Sequence, residues 1–558
     1  MIRENFYLGR TITGALCENE TVNGPVPESS SETAPERVST RQKWAPSGQV
    51  LQSAAGEKPQ RGSSRQMWLV VILTAVTGSI FAMAAGTHVA LMAALIPILI
   101  TVAMLSPKSL LLLLTIWMAE LGLIRRLIPG GQSSSFSGDP LLIVGPAILF
   151  FLVVVAGNRG AFHSRGALAK TVLAFNVLCV FEAVNPAQGG LTVGLGGLLF
   201  VLVPMMAFWI GRSFFDDLEA EILIKVIAWL SLGAAAYGLY QVFGHFPSWD
   251  QNWIASSGYT ALNVGNGVTR AFGMSASAQE YAAFLGLGLI AWLALFFRAK
   301  RGAKLLPLLA MTVIAYALYY EAQRTILFLT VFAIGVTIAA RFRVRPLGVA
   351  ICGVLAIFGL VFFAGKFTSG GTAVCHEGDQ QCTLAQRSNT IANPTGSGTS
   401  FSGHLTETRK GIAAGISHPL GHGVGSTTLA AGKFNTVRSA RGTEFDPGNA
   451  GTALGILGLV LYPTMVVLAF RAAYRVATRR RDFIGIFVIG AMAVDLMQWL
   501  NGDLYSVTWL IWLFIGWAEA QSRISEEVPG EVALALDPHP HPASYSDGNA
   551  SGRRTRWA

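Results

Sequence analysis

The chain has 558 residues, of which 52% are hydrophobic and 13% charged, with 13 Trp, 61 Gly and a mean hydropathy of +0.49. Soluble proteins carry about a quarter charged residues, so this composition excludes water as the main solvent and, with it, a string of soluble domains. The formal net charge of +10 would point to nucleic acid in a soluble protein, but in a polytopic membrane protein it reports basic cytoplasmic loops, and no nucleic-acid partner is expected.

Residues 1–66 are rich in Pro, Ser, Glu and Gly, contain no apolar run, and read as a disordered cytoplasmic tail. Acidic residues begin at Glu4 and no apolar core follows the start, so the first span is expected to act as its own insertion signal. Apolar runs near the crossing length then predict an all-α polytopic membrane protein with about 14 transmembrane helices. They begin near Met67, His88, Ser109, Pro140, Ala167, Leu191, Ile222, Ala278, Leu305, Thr325, Pro346, Ala450, Asp482 and Leu504. The expected division is helices 1–11 over 67–365, one large periplasmic loop with a short helix over 366–449, helices 12–14 over 450–520, and a disordered cytoplasmic tail over 521–558.

Basic residues test this count, because short cytoplasmic loops collect Lys and Arg. With the first tail inside, the even-numbered connections hold Lys108, Arg212, Arg298, Arg341 and Arg480 among others, while the short outward connections hold only Arg125, Arg126, Arg270 and Arg324. An error of one span would scramble that alternation.

Several outward groups carry chemistry. Five Cys are too few for a disulfide scaffold, but Cys375 and Cys382 bracket CHEGDQQC in the large loop. A disulfide between them in an oxidising compartment is worth at most about 3 kcal/mol. The alternative, a metal site with His376, Glu377 and Asp379, has an unusual spacing for zinc. Arg270 stands in TRAFGMSASAQEY and Arg324 in EAQRTILFLTV; a planar guanidinium suits phosphate, against the alternatives of snorkelling to headgroups or pairing with Glu321 or Glu280. Arg125 and Arg126 read as interface anchors. The loop segment FSGHLTETRKGIAAGISHPLGHGVGS predicts a helix from Gly403 to Ile416 that must lie against the membrane domain, then a turn in which Gly421, Gly423 and Gly425 permit close backbone approach and amides able to hold an anion. Within the spans, Glu120, Asp495 and Gln498 form a proton path, satisfy one another, or line a cavity between helices.

The ordered set of RAFGMSASAQEY with Arg270, EAQRTILFLTV with Arg324, SGHLTETRKGIAAGISHPLGHGVGS and the following GILGLVLYP resembles the O-antigen ligase and O-antigen polymerase superfamily, over roughly 191–505. The resemblance implies a GT-C-like integral membrane glycosyltransferase of the bacterial inner (cytoplasmic) membrane, with both termini cytoplasmic and the site on the periplasmic side. Such enzymes move a glycan from undecaprenyl diphosphate to a sugar hydroxyl. The acceptor is another lipid-linked repeat in the polymerases, lipid A core in the ligases and a protein in related enzymes. The implied partners are the carrier-linked glycan, the acceptor glycan, the lipid bilayer and other polysaccharide assembly proteins; neither a metal nor another cofactor is implied.

Diphosphate is already a good leaving group, so the protein's task is to neutralise its charge and to hold the acceptor oxygen in line. Under the resemblance Arg270 and Arg324 clamp the diphosphate with Arg409 or Lys410 as a third cation, and His404 or His418 takes the acceptor proton. His422 reads as a spacer between glycines, and Asn501 and Asp503 as groups that contact the glycan. The chain departs from the family pattern at His404, where many relatives have Arg, and at TEFDPGNAG, which offers Glu444, Asp446 and Asn449 in place of the ligases' His-Asn pair. These departures favour polymerase over ligase. A rival of another class is a transporter or lipid-linked glycan flippase with Glu120 and Asp495 as coupling-ion sites, although no inverted repeat is apparent.

Overall fold

The computed structural model describes residues 72, 76, 80, 83, 87–128, 140–163, 166–256, 263–265, 267–367, 375–376, 378–389, 400–434, 442–443, 445–480, 482–502 and 504–527. The expectations for residues 1–66 and 528–558, for most of the run from Met67, and for Glu377, Glu444 and Asp503 lie outside them.

The described residues are almost entirely helical. In chain order the helices are α1 (Thr87–Leu105), α2 (Pro107–Leu127), α3 (Val144–Asn158), α4 (Ala167–Glu182), α5 (Leu191–Met205), α6 (Ala207–Ser213), α7 (Asp217–Phe243), α8 (Ser248–Ser256), α9 (Ala278–Arg298), α10 (Leu305–Glu321), α11 (Arg324–Arg341), α12 (Pro346–Phe367), α13 (Gln380–Asn389), α14 (Ser400–Ser417), α15 (Leu429–Phe434), α16 (Asp446–Arg480), α17 (Phe483–Val494) and α18 (Thr508–Glu527). A two-stranded antiparallel hairpin, β1 (Asn263–Gly265) and β2 (Val268–Thr269), precedes Arg270. Each apolar run after the first begins within a few residues of one of these helices. Seven helical stretches among the described residues are long and apolar enough to cross a membrane, and three shorter ones are apolar. The chain therefore has an all-α membrane-protein fold.

Three boundaries differ from the sequence reading. The run from Asp482 yields only the 12-residue α17, after which residues 495–502 and 504–507 leave helical geometry while Asp495, Gln498, Trp499 and Ser506 stay buried. Irregular backbone survives in such a place when protein, not lipid, surrounds it. The last helix continues to Glu527, past the expected end at 520. Among the described residues the large loop holds three helices, α13 to α15, rather than one.

Polar contacts sort the connections into two ends of the bundle. At one end Lys108 Nζ reaches Asp216 at 2.5 Å and Glu219 at 2.8 Å, Arg298 Nη1 reaches Glu221 at 2.6 Å, Arg212 Nε reaches Glu519 at 2.6 Å, and Arg480 pairs with Asp217. At the other end lie Arg126 with Asp250, Glu280 with the Ser506 amide, and Asp446 with the Leu500 amide. The basic connections expected on one side thus share one end of the fold.

Between the ends, helices approach through small residues. Lipid tails are as apolar as leucine, so close backbone packing carries much of the association. A Cβ at Gly211 on α6 would lie 2.0 Å from the Leu513 carbonyl oxygen of α18, and one at Gly516 on α18 would lie 2.0 Å from the Phe208 carbonyl oxygen of α6. The two backbones are in direct contact, which only glycine allows.

Arg125 and Arg126 are not interface anchors. They are 1% and 5% exposed, and their guanidinium planes lie 4.9 Å from the Trp253 ring and 4.7 Å from the Phe272 ring. Arg126 Nη1 is 3.1 Å from Asp250 Oδ1 with both side chains fully buried, and its Nη2 donates to the Gly273 carbonyl at 2.7 Å. Asp250 Oδ2 also accepts from Tyr237 Oη at 2.8 Å and Gln241 Nε2 at 2.7 Å. Removing one partner strands a charge in a dry site, which costs roughly 3–5 kcal/mol. Asp250→Ala is therefore expected to destabilise the purified protein by about that amount in a reversible denaturation series; a loss under about 1 kcal/mol, the level of an exposed pair, would show that the ion pair is not structural.

Candidate functional site

The segment from Arg270 to Ser277 is held at Phe272, Gly273, Ala276 and Ser277. Gln241 Oε1 accepts from the amides of Phe272 at 3.0 Å and Gly273 at 2.8 Å, and Trp253 Nε1 donates to the Ala276 carbonyl at 3.1 Å. Ser277 caps α9 by accepting from the Glu280 amide at 3.2 Å. Glu280 then accepts from the Ala276 amide at 3.0 Å and, with its other oxygen, from the Ser506 amide at 2.9 Å. Its carboxylate thus ties the start of α9 to the connector between α17 and α18 and is not a counter-ion for Arg270 or Arg324.

Arg324 opens α11 immediately after a tight turn. Ala322 adopts a left-handed conformation, φ 63°, which costs an L-residue about 1–2 kcal/mol. The buried Glu321 carboxylate helps to hold the turn by accepting from the Gln323 amide at 2.9 Å. Its other oxygen has no hydrogen-bond partner among the described residues and is within electrostatic reach of Arg270. The Nε of Arg270 is likewise buried and has no hydrogen-bond partner among the described residues.

The large loop adds a residue that sequence reasoning passed over. Helix α13 rests on α7, α10 and the hairpin: Gln380 Nε2 donates to the carbonyls of Gln241 at 3.3 Å and Thr269 at 3.2 Å, and Ser388 Oγ donates to the Tyr319 carbonyl. Arg387 Nη2 donates to the Val264 carbonyl at 3.1 Å. A Cys375–Cys382 disulfide, Cα to Cα 5.6 Å, closes the start of α13, so those sulfurs are not metal ligands. Partial burial, and then the like charges of Arg270 and Arg324, hold the Arg387 guanidinium below its ordinary range. Arg270 and Arg324 also act on each other. Arg270 from the α9 approach, Arg324 from the α10–α11 turn and Arg387 from the loop helix are thus within electrostatic reach of one another. Like charges held together by separate scaffolds make a strong receptor for an anion of more than one charge.

The other candidates sit along α14 and α16. Helix α14 lies on the outer stretch of α16, where a Cβ at Gly411 would meet the Gly448 backbone at 2.5 Å and one at Gly415 the Gly451 backbone at 2.7 Å. His404 is partly buried, its ring 6.1 Å from that of Phe445. Arg409 and Lys410 point to the exposed side, and Lys410 pairs with Glu407 at 2.7 Å. His418 is exposed, with Nδ1 3.0 Å from Ser417 Oγ and its ring 4.6 Å from that of His422.

The glycine-rich turn has a structural task in place of anion binding. Helix α16 breaks at Gly455, φ 64° and ψ −148°, and the turn enters the break. The amides of His422 and Gly423 donate to the carbonyls of Thr452 and Ala453 at 2.9 and 3.0 Å, the Ile456 amide donates to the Pro419 carbonyl at 3.1 Å, and the Gly425 amide donates to Gln188 Oε1 at 3.0 Å. With those amides engaged, the turn offers no nest for a ligand. A small cleft beside it is lined by Val424, Thr428, Asn449, Leu500 and Asn501, which places Asn501 on an accessible wall.

Asp446 is 1% exposed and accepts from Tyr462 Oη at 2.8 Å and the Leu500 amide at 3.0 Å, and Asn449 locks the Thr443 turn, accepting from its amide at 2.6 Å. Neither is a free base. Glu120 lines an apolar groove with Leu95, Leu114 and Ile148, apart from Asp495, whose electrostatic neighbour is Asp446; Gln498 accepts from Gln279 at 3.5 Å. A single proton path through Glu120, Asp495 and Gln498 is not formed. Among the described residues no group of three His, Cys, Asp or Glu is placed to hold a metal ion.

Gly421 adopts φ +72°, and a Cβ there would lie 2.3 Å from the Ala453 carbonyl oxygen. Gly421→Ala is expected to unseat the turn from α16 and to speed proteolysis of the loop, with the bundle still folded; unchanged proteolysis would contradict the docking. Compared with protein-family models and with curated proteins, the sequence finds a match in neither.

Proposed function

We propose that the protein is a membrane glycosyltransferase of GT-C type that moves a glycan repeat from a polyprenyl diphosphate, undecaprenyl diphosphate in a bacterial inner membrane, to a sugar hydroxyl of an acceptor glycan. The observation that carries this reading is that Arg270, Arg324 and Arg387 lie within electrostatic reach of one another at the end of the bundle away from the basic connections. On this reading about 14 helices cross the bilayer, both termini are cytoplasmic, and the arginine end faces the periplasm, as the collection of Lys and Arg at the opposite end favours.

In the transfer, the bond from the sugar anomeric carbon to the diphosphate oxygen breaks and a bond to the acceptor oxygen forms. The departing diphosphate gathers negative charge, and the three guanidinium groups meet it with preset geometry. The acceptor proton passes to the imidazole of His404 or His418, acting as general base. The departures at His404 and TEFDPGNAG favour a polymerase of polysaccharide repeats, for O-antigen or exopolysaccharide, over a ligase or O-oligosaccharyltransferase. Other polysaccharide assembly proteins are the expected partners.

The rival reading, a transporter or lipid-linked glycan flippase, has one observation on its side. Asp446 and Asp495 are buried neighbours, and three of their four carboxylate oxygens lack hydrogen-bond partners among the described residues. Such a pair suits a coupling proton or cation.

Purified protein incubated with lipid-linked glycan separates these readings: a polymerase yields a ladder, a ligase a single transfer, and a flippase neither. Arg270→Ala and Arg324→Ala are each expected to lower turnover about 10²–10³-fold while insertion and folding persist, and Arg387→Ala to lower it by a similar order. Full turnover in the Arg270 and Arg324 variants would remove the diphosphate clamp. Replacing the true base, His404 or His418, should cost about 10²–10⁴-fold.

A further inference from the structure

At the end of the bundle opposite the arginine cluster, α4 begins, α18 nears its end and the last third of α16 passes beside both. A cleft of about 510 Å³ opens there, its wall including Leu168, Arg471, Arg475, Glu519, Ser522 and Arg523. That size fits a small polar headgroup.

Its charge pattern is specific. Arg471, Arg475 and Arg523 supply three cations to the wall. Glu519 is 2% exposed, and its Oε2 is engaged by Arg212 Nε at 2.6 Å. The second oxygen, Oε1, is buried and has no hydrogen-bond partner among the described residues. Gly166 leaves room for it, since a Cβ at that position would lie 2.2 Å from Oε1. Helix α4 starts at the same place, just after Gly166, and its positive end adds to the anion-attracting field. The cleft therefore presents a cationic wall and one buried acceptor that has no donor among the described residues.

The surroundings favour a lipid over a free anion. Leu468 lines the cleft, and Leu457, Val460 and Val467 continue the same stripe of α16 toward the middle of the helix, 53%, 58% and 65% exposed. Acyl chains can lie along that stripe while the headgroup stays at the basic end, the geometry of basic interhelical pockets that take phospholipid headgroups.

We propose that this cleft binds a phospholipid whose headgroup carries both a phosphate and a hydrogen-bond donor, with the phosphate on Arg471, Arg475 and Arg523 and the ammonium or hydroxyl donor on Glu519 Oε1. The assignment does not rest on the transferase reading.

The test uses full-length protein in a neutral detergent, titrated with phosphatidylethanolamine, phosphatidylglycerol, phosphatidylcholine and inorganic phosphate, reading affinity and the shift in unfolding temperature. Phosphatidylcholine has the phosphate but no donor. Phosphatidylethanolamine or phosphatidylglycerol should bind about tenfold tighter than phosphatidylcholine, and the Arg471→Gln/Arg523→Gln variant should lose about tenfold in affinity for them. Equal binding of phosphatidylcholine, inorganic phosphate competing at the same affinity as the lipid, or wild-type affinity in the folded variant would each overturn the proposal. If the variant fails to fold, the headgroup ranking of the wild-type protein still decides.

Discussion

The structure around the arginine cluster depends on one buried carboxylate. Asp250 binds Arg126 of α2 and the Tyr237 and Gln241 side chains of α7 in a site without solvent. Arg126 and Gln241 in turn grip the backbone at Phe272 and Gly273. A charge removed from water is stable only while its partners stay in place. The same network that satisfies Asp250 therefore fixes the segment following Arg270, caps α9 through Ser277 and, through Glu280, reaches the connector before α18. Arg270 starts from a rigid base, which is what an electrostatic receptor requires if it is to act without reorganising.

The remaining irregular backbone follows a related rule. The break at Gly455 and the non-helical residues 495–502 and 504–507 would be costly against lipid, because free amides and carbonyls find no water there. Each is met by protein: the glycine-rich turn fills the first, and Asp446, Glu280 and Trp512 of α18 bind the backbone of the second. The α14 helix, small-sided along Gly411 and Gly415, is held against α16 by backbone contact. The end of the bundle that carries His404, His418 and Asn501 is thus built from discontinuities that neighbouring segments repair, while the opposite end is built from ordinary helix termini and ion pairs, the Arg212–Glu519 pair buried and the Lys108 pair with Asp216 half exposed.

The helices were legible because a bilayer demands long apolar runs, and the two ends were legible because basic residues collect in alternate connections. Arg270 and Arg324 stood out in the sequence as rare outward arginines, and their charges act on each other in the fold. Arg387 was not, since QQCTLAQRSN is an ordinary polar helix whose importance comes from docking on Val264 and Tyr319 far away in sequence. Arg126 was misread for the same reason: an arginine at a helix end resembles a headgroup anchor until Asp250 is seen opposite it. The turn glycines Gly421 and Gly423 looked like an anion nest because spacing does not reveal that their neighbours' amides end on α16. The short α17 escaped notice because buried irregular backbone is as apolar as a span.

The central claim is that three guanidinium groups form a receptor for a diphosphate ester on a lipid. Its most direct measurement is equilibrium binding of a polyprenyl diphosphate against the corresponding monophosphate, over a range of salt, to the wild-type protein and to a variant with Arg270, Arg324 and Arg387 all changed to Gln. The account predicts a preference of about tenfold or more for the diphosphate that weakens with salt and disappears in the variant. Equal affinity for the two lipids, or a diphosphate preference that survives in the folded variant, would contradict it.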